Sequence, residues 1–269
     1  SLASTLTYYN NPTITFGFNR VHLSGGDSRI KWDFHNASRL PFEPLFGNSK
    51  IKYNIPNEPD YWDPWDQLLV GFVNFYFPAD NINLYVEYGT DDSRANFTDL
   101  KAHWDHASGY IIGIKKIISM NKSTIFAGAE FMSNKNSTNT LNPKFYRGDI
   151  YVENFYNKDT YLYSSYKGRR WAAHSGSDSD DSIIMIGLMN ENSSSLFSMN
   201  YERHGITSNN NPEIKKELTF RHIIHKNNFS YGLLIENESL KNFNFKGSSN
   251  IYYSNVIALT FNYYIKKYK

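Results

Sequence analysis

The stretch Ile82-Asn83-Leu84-Tyr85-Val86-Glu87-Tyr88-Gly89 decides how the chain is read. Ile82, Leu84, Val86 and Tyr88 occupy one set of alternate positions, and Asn83, Tyr85, Glu87 and Gly89 the other. A helix buries residues three and four apart, whereas a strand with one apolar side repeats every two. The segment therefore reads as a strand with one apolar and one polar face. The rhythm recurs on both sides of it. Ile14, Phe16 and Phe18 alternate with Thr15, Gly17 and Asn19, and Ile125, Ala127, Ala129 and Phe131 with Phe126, Gly128, Glu130 and Met132. Ile257, Leu259, Phe261 and Tyr263 alternate with Ala258, Thr260 and Asn262.

About eleven strands are expected, at 2–9, 12–23, 67–78, 81–91, 108–118, 122–133, 182–191, 195–205, 214–226, 229–240 and 251–266. Several exceed the ~5–6 residues of an ordinary strand and suit the ~9–11 that cross a bilayer at a tilt. The connections alternate in length. Short turns fall at Asn10-Asn11, Ala79-Asp80, Met120-Asn121, Asn192-Ser193-Ser194 and Asn227-Asn228. Long segments separate them: Ser24 to Asp66, Asp92 to Ala107, Asn134 to Asp181, Ile206 to Glu213 and Lys241 to Asn250. Short turns at one end and long loops at the other are the pattern of outer-membrane barrels. The expected fold is an all-β antiparallel transmembrane β-barrel, with residues 1–269 forming one unit. The first short turn follows the first strand, so the chain is expected to start on the outer side. Complete bacterial barrels have even strand counts and start in the periplasm. Earlier strands are therefore expected upstream.

Composition agrees. The 269 residues include 21 Tyr and 19 Phe, yet mean hydropathy is −0.56, as in a wall that is greasy on one side only. A net charge of +2 gives no global basic field for nucleic acid. The absence of cysteine excludes disulfides and thiolate chemistry. The polar row is expected to hold Asn19, Asn74, Glu87, Glu130 and Asn200. Tyrosines near strand ends, among them Tyr8, Tyr88, Tyr110, Tyr201, Tyr231, Tyr253 and Tyr263, suit the headgroup level.

Specificity is expected in the long loops. Tyr61-Trp62-Asp63-Pro64-Trp65-Asp66 combines rings that stack on sugar faces with carboxylates that accept sugar hydroxyls; the plainer reading is an aromatic girdle. Arg169 and Arg170, beside Tyr166 and Trp171, can clamp carboxylates of an acidic polysaccharide. Alternatively they pair with Asp178, Asp180 and Asp181 and fold the loop inward. The ring-dense stretch from Phe145 to Tyr166 reads as loop packing or as a surface platform. No G-x-S-x-G, H-E-x-x-H or P-loop pattern is present. His222 and His225, three apart on a strand, point to opposite faces and cannot readily share a metal. No enzyme activity, cofactor or metal is expected.

Several segments together resemble the Wzi-type capsule assembly proteins of Gram-negative outer membranes. Gly17-Phe18-Asn19-Arg20 leading to Gly25-Gly26-Asp27-Ser28-Arg29 is similar to a family strand and its turn. So are Asp66-Gln67-Leu68, then Asn83-Leu84-Tyr85-Val86-Glu87-Tyr88 with Asp91-Asp92. Tyr166-Lys167-Gly168-Arg169-Arg170-Trp171 through His174 and Asp178-Ser179-Asp180 resembles a family loop, departing at Ala173 where the family has Gly. Tyr201-Glu202-Arg203-His204-Gly205 looks like a strand exit. The resemblance implies the C-terminal part of an 18-strand barrel, with a helical bundle that this sequence does not show. It implies lectin-like binding of capsular polysaccharide, in outer-membrane lipid and beside other outer-membrane proteins. The polysaccharide-binding residues are then Tyr61, Trp62, Trp65, Tyr166, Arg169, Arg170, Trp171 and His174.

Overall fold

The computed structural model describes residues 2–23, 66–91, 108–135, 165–166, 169–170, 175–176, 178–207, 209–247 and 249–264. Side chains that are β-branched or aromatic at every second position fit a pleated surface, and each tight polar turn returns the chain beside itself. The strands are β1 (Leu2–Tyr8), β2 (Thr13–Leu23), β3 (Asp66–Phe77), β4 (Ile82–Asp91), β5 (Ser108–Met120) and β6 (Ser123–Ser133). Two short ones follow, β7 (Ser165–Tyr166) and β8 (Arg169–Arg170). Then come β9 (Ser179–Asn190), β10 (Ser193–His204), β11 (Glu213–Lys226), β12 (Phe229–Lys241) and β13 (Ile251–Tyr263). All but β7 and β8 form one 11-stranded antiparallel sheet in which spatial order follows chain order, with β6 meeting β9. β1 and β13 are its two edges, and no pairing joins them among the described residues. Among the described residues there is no α-helix, and so no helix long and apolar enough to cross a membrane.

Register sorts the side chains into two faces. Phe16, Val73, Val86, Ile112 and Phe131 stand directly opposite one another on successive strands. Ile186, Phe197, Phe220, Ile235 and Ile257 continue the apolar face through β9–β13. The other face carries the polar row Thr15, Asn74, Tyr85, Gly113, Glu130, Ile183, Asn200, Glu217, Glu238 and Ser254, one residue per strand from β2 to β13. Asn19, Asn74, Glu87, Glu130 and Asn200 all lie on this polar face, as the alternation predicts. His222 and His225 fall on opposite faces, also as predicted.

Exposure is inverted relative to a water-soluble sheet. Ile184 is 63% exposed and Met199 52%, whereas Glu202 on the polar face is 2% exposed. The described strands contact chiefly their sheet neighbours, and β11 also meets the 3-10 turn at Phe243–Phe245. Among the described residues no second layer covers either face, and the polar face is shielded by the crowding of its own side chains, which bridge neighbouring strands.

Glycine makes room for this crowding. A Cβ at Gly113 would overlap the ring of Tyr85, its partner on β4, and one at Gly17 would overlap Phe72 on β3. In each case a large ring lies across a position that has no side chain. The turns fall within two residues of their expected places, with one consequential difference. The turn between β9 and β10 is Glu191-Asn192 rather than Asn192-Ser193-Ser194, and β9 begins at Ser179 rather than 182.

Candidate functional site

All long connections leave the same end of the sheet, because they alternate with the short turns along strands that run antiparallel in chain order. At that end the β6–β9 connection is closed by buried polar groups. The Asn134 backbone N–H donates to the Ser179 carbonyl at 2.9 Å, and Ser179 Oγ donates to Asn134 Oδ1 at 2.7 Å. Asn134 Nδ2 donates to the Gly176 carbonyl. Asn134 is 2% exposed and Ser179 fully buried, so each needs these partners to offset the loss of water.

The acidic run beyond this clamp is engaged within the rim. Asp180 receives the Arg203 guanidinium from the opposite position on β10, through Nε at 2.9 Å and through the Nη2 group. Asp178 accepts from the Thr207 hydroxyl, and its carbonyl from the Ile206 N–H at 3.2 Å. Asp180 is thus bound to Arg203 on β10 and Asp178 to residues 206 and 207 just after it, while the side chains of Arg169 and Arg170, expected to pair with this acidic run, lie outside the described residues. The connections 206–212 and 242–250 are tied together: Asn242 Nδ2 donates to the Pro212 carbonyl at 2.9 Å, and the Asn244 N–H to Glu213 at 2.9 Å.

Two clusters stand on the polar face. In the first, Lys215 Nζ lies 3.5 Å from Glu202, 3.1 Å from Glu217 and 3.4 Å from Glu238. His204 Nε2 is 2.9 Å from Glu202, and Asn200 donates to Glu202 at 3.0 Å. One ammonium thus holds together carboxylates from three adjacent strands. In the second, the Tyr85 ring crosses Gly113 and its hydroxyl donates to Glu130 on β6. The Lys115 ammonium stands over the same ring at 4.8 Å from its centre. Near it, Glu87, Gly89, Gly109, Ile111 and Met132 help line a small cleft of about 70 Å³.

Charge separates by face among the described residues. The polar face carries Glu87, Glu130, Asp181, Glu202, Glu213, Glu217, Glu236 and Glu238 against Lys115, Lys215 and Arg221. On the apolar face the charges are Arg20, Lys116, Arg203, Lys216, Lys226 and Lys241, with Asp180 paired to Arg203. His222, also on that face, hydrogen-bonds Ser195 at 2.8 Å, so both of these polar groups have a partner.

The sequence-predicted binding residues fare differently from one another. Tyr61, Trp62, Trp65, Trp171 and His174 lie outside the described residues. Tyr166 stands opposite Arg169, and Ser165 opposite Arg170, in the small β7–β8 hairpin; their backbone alone is described. No group of His, Asp or Glu among the described residues could hold a metal ion. The Lys215 cluster and the Asp180–Arg203 pair escaped the sequence reading. Both depend on which residues stand opposite each other across turns.

Compared with known proteins, the chain matches no protein-family model, and no curated protein matches it in sequence. What fold and site define is an all-β protein built on one antiparallel meander, apolar and exposed on one face, polar and shielded on the other.

Proposed function

We propose that the chain is part of an outer-membrane β-barrel of the capsule-assembly type, whose outer loops hold capsular polysaccharide without chemistry. The observation that carries this reading is the exposed apolar face. It runs across the whole sheet, and Ile186, Phe197, Phe220, Ile235 and Ile257 cross its middle without a charge. Soluble monomers do not expose apolar patches beyond a few hundred Å², so hydrocarbon is the natural cover. Tyr253 and Tyr263 on β13 bound the face; the ten steps between them span about 34 Å along the strand, or about 25 Å across the membrane at a ~45° tilt. That is the height of a barrel's apolar band. Tyr88, Tyr110 and Tyr201 lie on the same face toward the long-loop end. Tyr231 and Tyr263 pack with Phe229 and Phe261 at the other, with centroids 5.0–6.5 Å apart.

In hydrocarbon the free edges of β1 and β13 need strand partners, because unpaired backbone groups there cost several kcal/mol each. The resemblance to the capsule family implies a full count of eighteen. The polysaccharide is then assigned to Tyr61, Trp62, Trp65, Tyr166, Arg169, Arg170, Trp171 and His174, beyond a rim that the Asn134–Ser179 clamp holds in place. The acidic polar face disfavours entry of an acidic polymer, which keeps its binding to the loops. The test is retention of purified capsular polysaccharide by the Trp62→Ala, Trp65→Ala double variant in detergent. Retention is expected to fall about tenfold, on the scale of a lost aromatic anchor, with unchanged β-sheet circular dichroism. Unaltered retention would remove these residues from the site.

The excess of carboxylates on the polar face favours one other reading, a barrel that conducts cations. Planar-bilayer recording separates the two. A steady cation-selective current supports conduction, and a silent bilayer supports a plugged, polysaccharide-holding barrel.

A further inference from the structure

Arg203, Lys216 and Lys241 stand together on the apolar face at the long-loop end. Arg203 lies opposite Ile214, and Ile214 opposite Lys241, while Lys216 follows two residues along β11. Diagonal neighbours on adjacent strands are ~7–8 Å apart, and Arg203 and Lys241, flanking one strand, about 10 Å. Lys216 and Lys241 are exposed and have no ion-pair partner among the described residues. The one described carboxylate beside them, Asp180, is taken by Arg203. Three adjacent strands thus bring three cations together against one carboxylate, which leaves unbalanced positive charge at Lys216 and Lys241.

Its surroundings say what kind of anion fits. Tyr201 stands opposite Lys216 on one side and Ser239 on the other, with Tyr253 next to Ser239. Immediately toward the sheet centre come Met199 and Leu218, 52% and 42% exposed, followed in the same row by the hydrogen-bonded pair Asn237–Asn255, and one row further in the uncharged stretch Phe197, Phe220, Ile235 and Ile257, the last 75% exposed. The cations therefore sit where an apolar surface meets a tyrosine border. A soluble anion would satisfy the charges and leave the apolar surface wet. An anion carried on acyl chains satisfies both.

We propose that Arg203, Lys216 and Lys241 dock the phosphate groups of a membrane lipid headgroup at the long-loop end of the sheet. Two or three flexible cationic stems within ~10 Å of one another can share one phosphate or bridge two. The hydrogen bonds from Asn242 to Pro212 and from Asn244 to Glu213 hold the ends of β11 and β12 beside each other, so the spacing is built in. The remaining lysines of this face make an internal control. Lys116 on β5 and Lys226 on β11 lie toward the short-turn end on well-separated strands and form no cluster.

The inference rests on the membrane reading above. The full chain, extracted from its own membrane in detergent, is examined by native mass spectrometry with a bis-phosphorylated lipid A and its dephosphorylated analogue. Selective retention of the phosphorylated lipid is expected, reduced about tenfold or more in K216Q/K241Q and within about twofold of normal in K116Q/K226Q. Equal retention of both lipids, or equal losses in both double variants, overturns the proposal. Should K216Q/K241Q fail to fold, the unaltered protein suffices: its preference for the phosphorylated lipid is expected to vanish at ~0.5 M salt, where charges beyond a few Å are screened, and a salt-independent preference overturns it. A chain that partitions into water without detergent refutes the membrane reading itself. Detergent dependence without lipid selectivity refutes only the docking site.

Discussion

Phe197 and Ser198 are neighbours in the chain and belong to different surroundings. Phe197 is 42% exposed in an uninterrupted apolar row, while Ser198 faces the crowded polar side between Met185 and Thr219. The two faces of this sheet are stabilised in different ways. The polar face is held by contacts within the molecule: the Lys215 cluster, the Tyr85 bridge and the rim clamp. Among the described residues the apolar face has few partners beyond its own rows, so on the membrane reading its stability depends on what lies outside it. The same residue change should therefore have opposite consequences one position apart.

The largest expected effect breaks that comparison directly. Phe197→Arg should destabilise the protein in lipid vesicles by about 2–4 kcal/mol, the cost of a cation near mid-membrane. Ser198→Arg should cost well under half as much. Urea titration of the vesicle-folded protein measures both. Equal costs would mean that the two faces see the same medium, as in a water-soluble sheet, and would end the membrane reading.

Next in size is Lys215→Met, which tests the polar face. Removing the ammonium leaves Glu202, Glu217 and Glu238 facing one another. Breaking a fully buried pair costs ~3–5 kcal/mol; Lys215 is 25% exposed at its side chain, so about 1–3 kcal/mol is expected after screening. The loss comes from repulsion between carboxylates that the ammonium no longer separates, so Lys215→Arg, which keeps the cation, should recover most of it. An equal penalty for Lys215→Met and Lys215→Arg would point to lost packing instead.

The alternation was legible because it is local: Ile82 to Gly89 declares its two faces without any knowledge of β3 or β5. Register was legible only where a turn was placed correctly. The Asn227-Asn228 turn, read from sequence, already sets Glu217 opposite Glu238. The β9–β10 turn was expected one residue late and one residue long, which hid the pairing of Asp180 with Arg203. Asp178, Asp180 and Asp181 also read as loop by composition. A run of carboxylates ends a strand unless partners neutralise it, and Arg203 supplies the neutralising charge for Asp180 from the neighbouring strand. The residues expected to bind glycan fall in the long connections of the sequence, where no period fixes the fold. The eight positions expected to bind polysaccharide were therefore readable as chemistry but not as geometry.

Smaller effects sharpen the picture of the polar face. Gly113→Ala should cost about 1–3 kcal/mol, because the added methyl meets the Tyr85 ring and forces it off β5. Tyr85→Phe should cost least, about 1 kcal/mol, the net worth of one hydrogen bond. It removes the hydroxyl that reaches across Gly113 to Glu130 and keeps the ring in place. If the bridge ties β4 to β6 over a residue without a side chain, the two changes should not add. Once Gly113→Ala has displaced the ring, the hydroxyl has already left Glu130, and Tyr85→Phe should cost almost nothing further. A double-mutant cycle by urea titration reads this coupling. Full additivity would show that the ring and the hydroxyl act separately, and that the close packing over Gly113 does not position the donor.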